Sequence, residues 1–317
     1  MSNPWIQAAR LRTLPLAISG IILGWSVSLP NLENNTNAWL IFGLAILTAV
    51  LLQITSNYAN DYGDFEKGVD QAAGRTDRML ASGAITPQSM KKALVFLSLI
   101  TFVVGVILLQ ISGVFSDSRG WFLLGLGIIS IGASLFYTVG KNAYGYKGLG
   151  DAFVFLFFGM VTVMGMGLLL NVTITLVHAI ASIGIGCLST AVLNINNYRD
   201  IISDEEKNKR TVAVILGKNK TIIYHGFLLV FGLFGVVAAL IIIQHDYLRW
   251  ERWMRPDIAY TLGLFFPFFG TINQQYRLLK LCEPGDREAI NPLLKKLSLT
   301  IFALVIVFCL IITFITS

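Results

Sequence analysis

Asn57, Asn60, Asp61 and Asp64 fall at i, i+3, i+4 and i+7, the spacing that puts four side chains on one stripe of a helix. A second set, Asn196, Asn197, Asp200 and Asp204, follows a similar scheme later in the chain and is expected on one helix as well. Amide and carboxylate oxygens are what a hard divalent cation takes. Mg2+ in particular uses one or two carboxylates, some water and the phosphates of a substrate. Without a cation, clustered carboxylates raise one another's pKa, and at the end of an apolar helix each costs several kcal/mol. Basic residues accompany both sets: Arg75 and Arg78 follow the first, and Lys207, Lys209 and Arg210 follow the second. Guanidinium and ammonium groups bind the phosphate oxygens that a metal leaves uncovered. The two sets together read as a Mg–diphosphate site. Its metal ligands come from Asn60, Asp64, Asp200 and Asp204, and its anion contacts from Arg75, Arg78, Lys209 and Arg210.

The elements that must position these residues are membrane spans. Of 317 residues, 55% are apolar and 13% charged, where a soluble chain carries roughly 25% charged residues. Mean hydropathy is +0.69. Nine long apolar runs occur, at about 14–30, 38–58, 92–114, 120–138, 152–170, 174–194, 222–243, 258–276 and 297–316. Each approaches the ~20 residues that cross the hydrocarbon as a helix. A membrane barrel would instead show alternating strands of about ten residues. The fold class expected is therefore all-α: a polytopic membrane protein of about nine transmembrane helices. The first run follows Arg10 and Arg12 but lacks a small-residue cleavage site, so it reads as a retained helix and not a signal peptide.

Charge sets the orientation. Twenty of the 24 Lys and Arg residues fall on one side of this nine-span layout. By the positive-inside rule that side is cytoplasmic, with the N-terminus inside and the C-terminus outside. The expected location is the cell membrane, with the site facing the cytoplasm. The net charge of +6 thus reports orientation in a lipid bilayer and not nucleic-acid binding, and no obligate protein partner is evident. Nine of the 18 acidic residues lie in 61–77 and 200–206, at the cytoplasmic ends of the second and sixth spans. N-Y-A-N-D-Y-G-D (57–64) and N-I-N-N-Y-R-D (194–200) resemble each other, and each precedes an Arg–Thr pair, 75–76 and 210–211. We expect a single domain over 1–317, made of two four-helix pseudo-repeats, about 1–138 and 139–276, and a ninth helix. Such a repeat brings its two acidic ends face to face.

A third constellation is Y-T-V-G-K-N-A-Y-G-Y-K-G-L-G-D, residues 137–151. It reads either as a flexible turn with interfacial tyrosines or as an acceptor site. In the second reading Lys141 or Lys147 meets an anion, the tyrosines meet an aromatic ring, and glycine lets the backbone approach. Asp151 is expected to N-cap the next helix. Arg10, Arg12 and Pro15 open the first span and serve at least as an orientation signal. Cys187, Cys282 and Cys309 form no CxxC, and His178, His225 and His245 are scattered, so a zinc or imidazole site is not expected. Gly217-Lys218-Asn219 lacks the earlier glycine and the following Ser or Thr of a P-loop.

N-D-x-x-D-x-x-x-G-x-D (60–70), the stretch from Arg75 to Thr86, and N-N-Y-R-D-x-x-x-D (196–204) resemble the UbiA superfamily of intramembrane aromatic prenyltransferases. Segments 137–159 and 211–217 resemble its naphthoate branch. The resemblance covers nearly the whole chain. It implies transfer of a polyprenyl group from polyprenyl diphosphate to 1,4-dihydroxy-2-naphthoate, with loss of CO2 and diphosphate, assisted by two Mg2+ ions. The product would be demethylmenaquinone, on the route to menaquinone. The superfamily's first motif is often N-x3-D-x3-D. Here Gly68 stands at the third position, and the resemblance gives its role to Asp70. Asn60, Asp64, Asp70, Asp200 and Asp204 are then the catalytic, metal-holding set. Tyr137, Lys141, Tyr144, Lys147 and Asn197 are expected to face the acceptor. Two other readings stay open: a different aromatic acceptor such as 4-hydroxybenzoate, and an ion-coupled carrier, whose carboxylates would sit nearer the midplane.

Overall fold

The computed structural model describes residues 3–33, 35–69, 78–140, 143–247 and 258–316. Asp70, Arg75 and Lys141 lie outside the described residues. A short helix, α1 (Pro4–Ala9), is capped by the Asn3 side chain, which accepts from the Trp5 amide. The chain turns at Arg10, in the left-handed region at φ 50°, and enters α2 (Leu14–Ser28). There follow α3 (Ala38–Glu66), α4 (Pro87–Ile111), α5 (Ser118–Phe136), α6 (Gly150–Leu169), α7 (Leu176–Arg199), α8 (Ile201–Glu206), α9 (Val212–Tyr247), α10 (Ile258–Leu281) and α11 (Arg287–Thr316). No strand occurs among the described residues.

Among the described residues, eight helices are long and apolar enough to cross a membrane, which makes this a multi-pass membrane protein. The ninth expected span, 258–276, does form a helix, α10, but is not among the eight. It carries Pro267 within it, and Asn273, Gln274 and Gln275 follow, so its apolar content is lower. Capping residues set several boundaries. The Thr86 hydroxyl accepts from the Ser89 amide with Pro87 in the first turn, and Asp117 accepts from the Arg119 amide. Asp151 is not an N-cap as expected. Helix α6 begins one residue earlier, with Leu149 as its cap. Asp151 sits in the first turn, where its carboxylate accepts from the Tyr224 hydroxyl at 3.1 Å.

Helix α7 is the centre of the bundle, with Ala181, Ile185, Leu188 and Ala191 fully buried. It packs backbone to backbone on α9. A Cβ added to Gly235 would lie 2.8 Å from the Gly184 Cα. In lipid, where water does not drive helices together, such small-residue seams gain van der Waals contact. The seam fixes α7 and hence the acidic segment at its C-terminal end. Helix α3 runs unbroken to Glu66, so Asn57, Asn60, Asp61 and Asp64 do share one helix. The second set does not. Helix α7 ends at Arg199, Asp200 is its C-cap at φ −99°, ψ 8°, and Asp204 stands on the separate helix α8.

Loops that are distant in sequence meet at one end of the bundle. Arg10 reaches Asn60, Lys67 donates to the Thr138 carbonyl, the Arg210 amide donates to the Tyr146 carbonyl and the Gly285 amide to that of Arg199. These are the segments that charge counting groups on one side of the membrane.

Candidate functional site

Asp64, on the last turn of α3, is 1% exposed. Its carboxylate accepts from the Tyr146 hydroxyl at 2.7 Å. Lys209 stands between the two acidic segments, with its Nζ 3.5 Å from an Asp64 oxygen and 3.5 Å from an Asp204 oxygen. Lys67 Nζ lies 3.7 Å above the Tyr146 ring and Lys209 Nζ 5.3 Å from it, so one aromatic face organises two cations. Burial pushes the Lys67 amine below its ordinary value, opposed by the Asp64 charge.

Asp200 is held differently. Arg199 grips it with two parallel hydrogen bonds, at 3.0 and 2.6 Å, and Arg287 approaches to 3.6 Å. The same Arg199 guanidinium donates to Asn196 and to Asn291 of α11. This fork ties the end of α7 to α11, and such planar bidentate geometry is what arginine supplies and lysine does not. Asp61 accepts from the Met79 amide at 3.2 Å, which anchors the chain at 78–80 and brings the buried Arg78 into this region. Asn57 donates to the Ala9 carbonyl and to the Thr13 hydroxyl, and Tyr58 donates to the Trp5 carbonyl. The N-terminal strap is thereby laid along α3. It delivers Arg10, at its left-handed residue, to Asn60 at 3.0 Å.

The donor chemistry fits a divalent cation. One ammonium group already reaches both Asp64 and Asp204, so positive charge is shared between the two carboxylates. Among the described residues no three carboxylate, imidazole or thiol groups converge into a ready-made cage.

Beside this cluster opens a cavity of about 370 Å3. Arg10, Asn57, Asn60 and Asn196 line its polar end, and Ile21, Leu109, Leu123 and Met166 its apolar end. Along α3 it runs from Ala45 to Asn60, roughly 22 Å at ~1.5 Å per residue. One wall is aromatic. Tyr137 meets Tyr144 edge to face at 5.3 Å, Tyr144 stacks on Phe153 at 4.0 Å, and Phe157 continues the row. A π-helical turn at Leu156–Val161 interrupts α6 at this wall, a distortion common beside functional sites. Burial, then the Asp151, Asp64 and Asp204 charges, push the Tyr137 phenol far above its ordinary value.

The structure brings together Asn60, Asp64, Asp200, Asp204, Arg78 and Lys209 at one end of the bundle, and places Tyr137 and Tyr144 in the cavity wall. It does not bring every expected residue there. Lys147 is exposed and Asn197 buried, and neither lines the cavity; its α7 amide is Asn196. The Arg210 side chain is exposed, and its backbone N–H clamps the 143–149 loop instead. Tyr146, Lys67, Arg10, Arg199 and Arg287 were not singled out as site residues from sequence. Tyr146, Lys67 and Arg199 lie inside the motifs already quoted and Arg10 stands at the head of the first span, whereas Arg287 carried no signal.

Residues 14–250 match the UbiA prenyltransferase family. The chain is 40% identical over 228 residues to the 1,4-dihydroxy-2-naphthoate octaprenyltransferase of Haemophilus influenzae, covering 71% of this chain and 73% of that one. It is 38% identical over 262 residues to the Escherichia coli protein of the same name, covering 78% and 80%. In fold it is similar to a UbiA homolog from Archaeoglobus fulgidus bound to GPP and Mg2+, with a TM-score of 0.54 and 14% identity over 96% of this chain and 99% of that one.

Proposed function

Because the chain belongs to the UbiA prenyltransferase family, we propose that it transfers a polyprenyl group from its diphosphate to 1,4-dihydroxy-2-naphthoate, yielding CO2, diphosphate and demethylmenaquinol, the reduced form of demethylmenaquinone, since the exchange of carboxylate for prenyl group is redox-neutral. The relatives that carry this activity in their names supply the acceptor. One observation carries the reading to this chain: the carboxylate–cation cluster sits beside a long apolar cavity, so a charged head and a lipid tail can be bound at once.

The residues divide the work. Asn60, Asp64, Asp204 and Asp70 would hold the metal, taken as two Mg2+ ions. When bound, these supply positive charge to the departing diphosphate. Asp200 completes the set from its place between Arg199 and Arg287. Lys209, Lys67, Arg78, Arg75 and Arg210 offer cations to phosphate oxygens. The prenyl tail lies in the apolar part of the cavity. Breaking the C–O bond leaves an allylic cation, which the faces of Tyr137, Tyr144 and Phe153 stabilise. Arg10 and Asn196, at the polar end, orient the carboxylate-bearing ring whose carbon forms the new C–C bond. Lys147 and Asn197 lie off the cavity wall, and Lys141 is kept as an acceptor contact on the strength of the 137–151 sequence alone. The site faces the cytoplasm in the cytoplasmic membrane, and the two halves of the chain supply one acidic segment each, as a duplicated unit would.

The test supplies purified protein with 1,4-dihydroxy-2-naphthoate and a polyprenyl diphosphate, with Mg2+ or with EDTA, and reads product by mass spectrometry. Metal-dependent demethylmenaquinol, or the demethylmenaquinone that air oxidation makes of it, supports the assignment. Activity on 4-hydroxybenzoate and none on the naphthoate would overturn the acceptor while keeping the site.

A further inference from the structure

A second concavity lies away from the prenyl cavity, between α10 and α11, with a volume of about 440 Å3. Pro267 of α10 and Pro292 of α11 both border it. The Lys296–Gln274 bond across the two helices sets their register, so Pro292 marks the end of the groove near the 282–286 loop and Pro267 the other end, roughly 16 Å deeper at ~1.5 Å per residue; each proline ring removes a backbone hydrogen bond and loosens its helix there. Lys295 and Lys296 line one end and are exposed. Phe268, Leu299 and Ala303 continue it toward the other end. The groove is therefore polarised along the helices. Its basic end starts roughly 12 Å from Arg287, at ~1.5 Å per residue, on the side where the loops of the site gather, and its apolar end runs deeper.

No carboxylate pairs with either lysine among the described residues. Lys296 Nζ donates to Gln274 at 3.0 Å, which uses one of the three hydrogens an ammonium offers. Arg277 and Lys280 add exposed positive charge toward the end of α10. Leu294, on another face of α11, lines the prenyl cavity, so the groove is on the outer side of that helix. A cationic rim at interfacial depth above an apolar cleft between spans complements an anionic lipid headgroup with an acyl chain below it.

We propose that this groove binds a phospholipid of the surrounding bilayer with an anionic headgroup, its phosphate on Lys295 and Lys296 and one acyl chain along Leu299 and Ala303. The site is independent of the transfer reaction. It does not require that the naphthoate assignment hold.

The experiment is native mass spectrometry of the full chain, delipidated in detergent and titrated with phosphatidylglycerol or phosphatidylcholine. Wild type is expected to prefer phosphatidylglycerol roughly 30-fold, the effect of two interfacial lysines. The Lys295→Gln/Lys296→Gln variant is expected to lose that preference. Ala303→Trp, which keeps both charges and fills the cleft, is expected to lower retention of the lipid. Gel filtration confirms that each variant is folded, and a misfolded lysine variant leaves Ala303→Trp to decide. Equal binding of both lipids by wild type overturns the proposal, as does an undiminished preference in the lysine variant or undiminished retention of the lipid by Ala303→Trp. A chain dimer that the lysine variant dissociates would also overturn it, since the groove would then hold a second copy.

Discussion

The Tyr146 hydroxyl donates to the Asp64 carboxylate at 2.7 Å, across 82 residues of sequence. The contact joins the loop between α5 and α6 to the acidic end of α3. It also holds the Tyr146 ring beneath Lys67. A hydrogen bond to a charged group contributes about 1.5–3 kcal/mol. Tyr146→Phe keeps the ring and deletes the hydroxyl, so kcat/KM should fall roughly tenfold to hundredfold with the fold intact. Steady-state kinetics against prenyl diphosphate check this, and unchanged kinetics would mean the contact does not orient Asp64 during turnover.

Asp64 and Asp200 should behave differently when neutralised. Asp64→Asn leaves Lys209 with Asp204 and is expected to abolish turnover at near-normal stability. Asp200→Asn leaves the buried Arg199 guanidinium without its carboxylate, and breaking such a pair costs about 3 kcal/mol or more. It should lose both activity and thermal stability. Activity assays beside melting curves in detergent separate the two, and full turnover by a well-folded variant of either would remove that residue from the site.

Glu66 and Asp70 offer a test of register. Glu66 is exposed and accepts from Tyr62 at 2.7 Å, turned away from Asp64. Glu66→Gln should leave kcat/KM within about twofold of wild type, as surface changes do. Asp70→Asn should cripple turnover. Comparing the two rates decides which acid completes the first motif, and the reverse order would reassign it.

Gly63 is where α3 meets the chain after α5. A Cβ there would lie 2.6 Å from the Thr138 carbonyl carbon and oxygen. Backbone cannot swing aside as a side chain does, so Gly63→Ala should destabilise by roughly 1–3 kcal/mol and lower activity by moving Asp64. A melting temperature equal to wild type would show that the two segments can separate freely.

Tyr137 gives a pH prediction. Its folded-state value is raised above the ordinary ~10 of an unfolded tyrosine, so folding favours the protonated phenol. The stability this contributes is fully present below pH ~10 and is lost as pH rises from there through the folded value. Tyr137→Phe should remove part of the alkaline loss of stability. Denaturation midpoints on either side of pH ~10 measure it, and identical alkaline curves for the two proteins would contradict the burial of this phenol.

The sequence by itself determined the helical membrane architecture, because runs of apolar residues near twenty long can satisfy their backbone in lipid only as helices. It also determined the acidic stripe on α3, since four polar residues at helical spacing in an apolar run share a face wherever the helix goes. Tertiary structure decided the rest. Helix α7 stops at Arg199, one residue before Asp200, because side-chain and backbone contacts from Asn291 and Gly285 close on its end, and spacing carries no record of them. Lys209 between Asp64 and Asp204, Tyr146 on Asp64 and Arg10 on Asn60 are contacts between segments far apart in the chain. Which cation meets which carboxylate depends on how helices pack, here through the glycine seam that seats α7 on α9, and local pattern holds no information about that geometry.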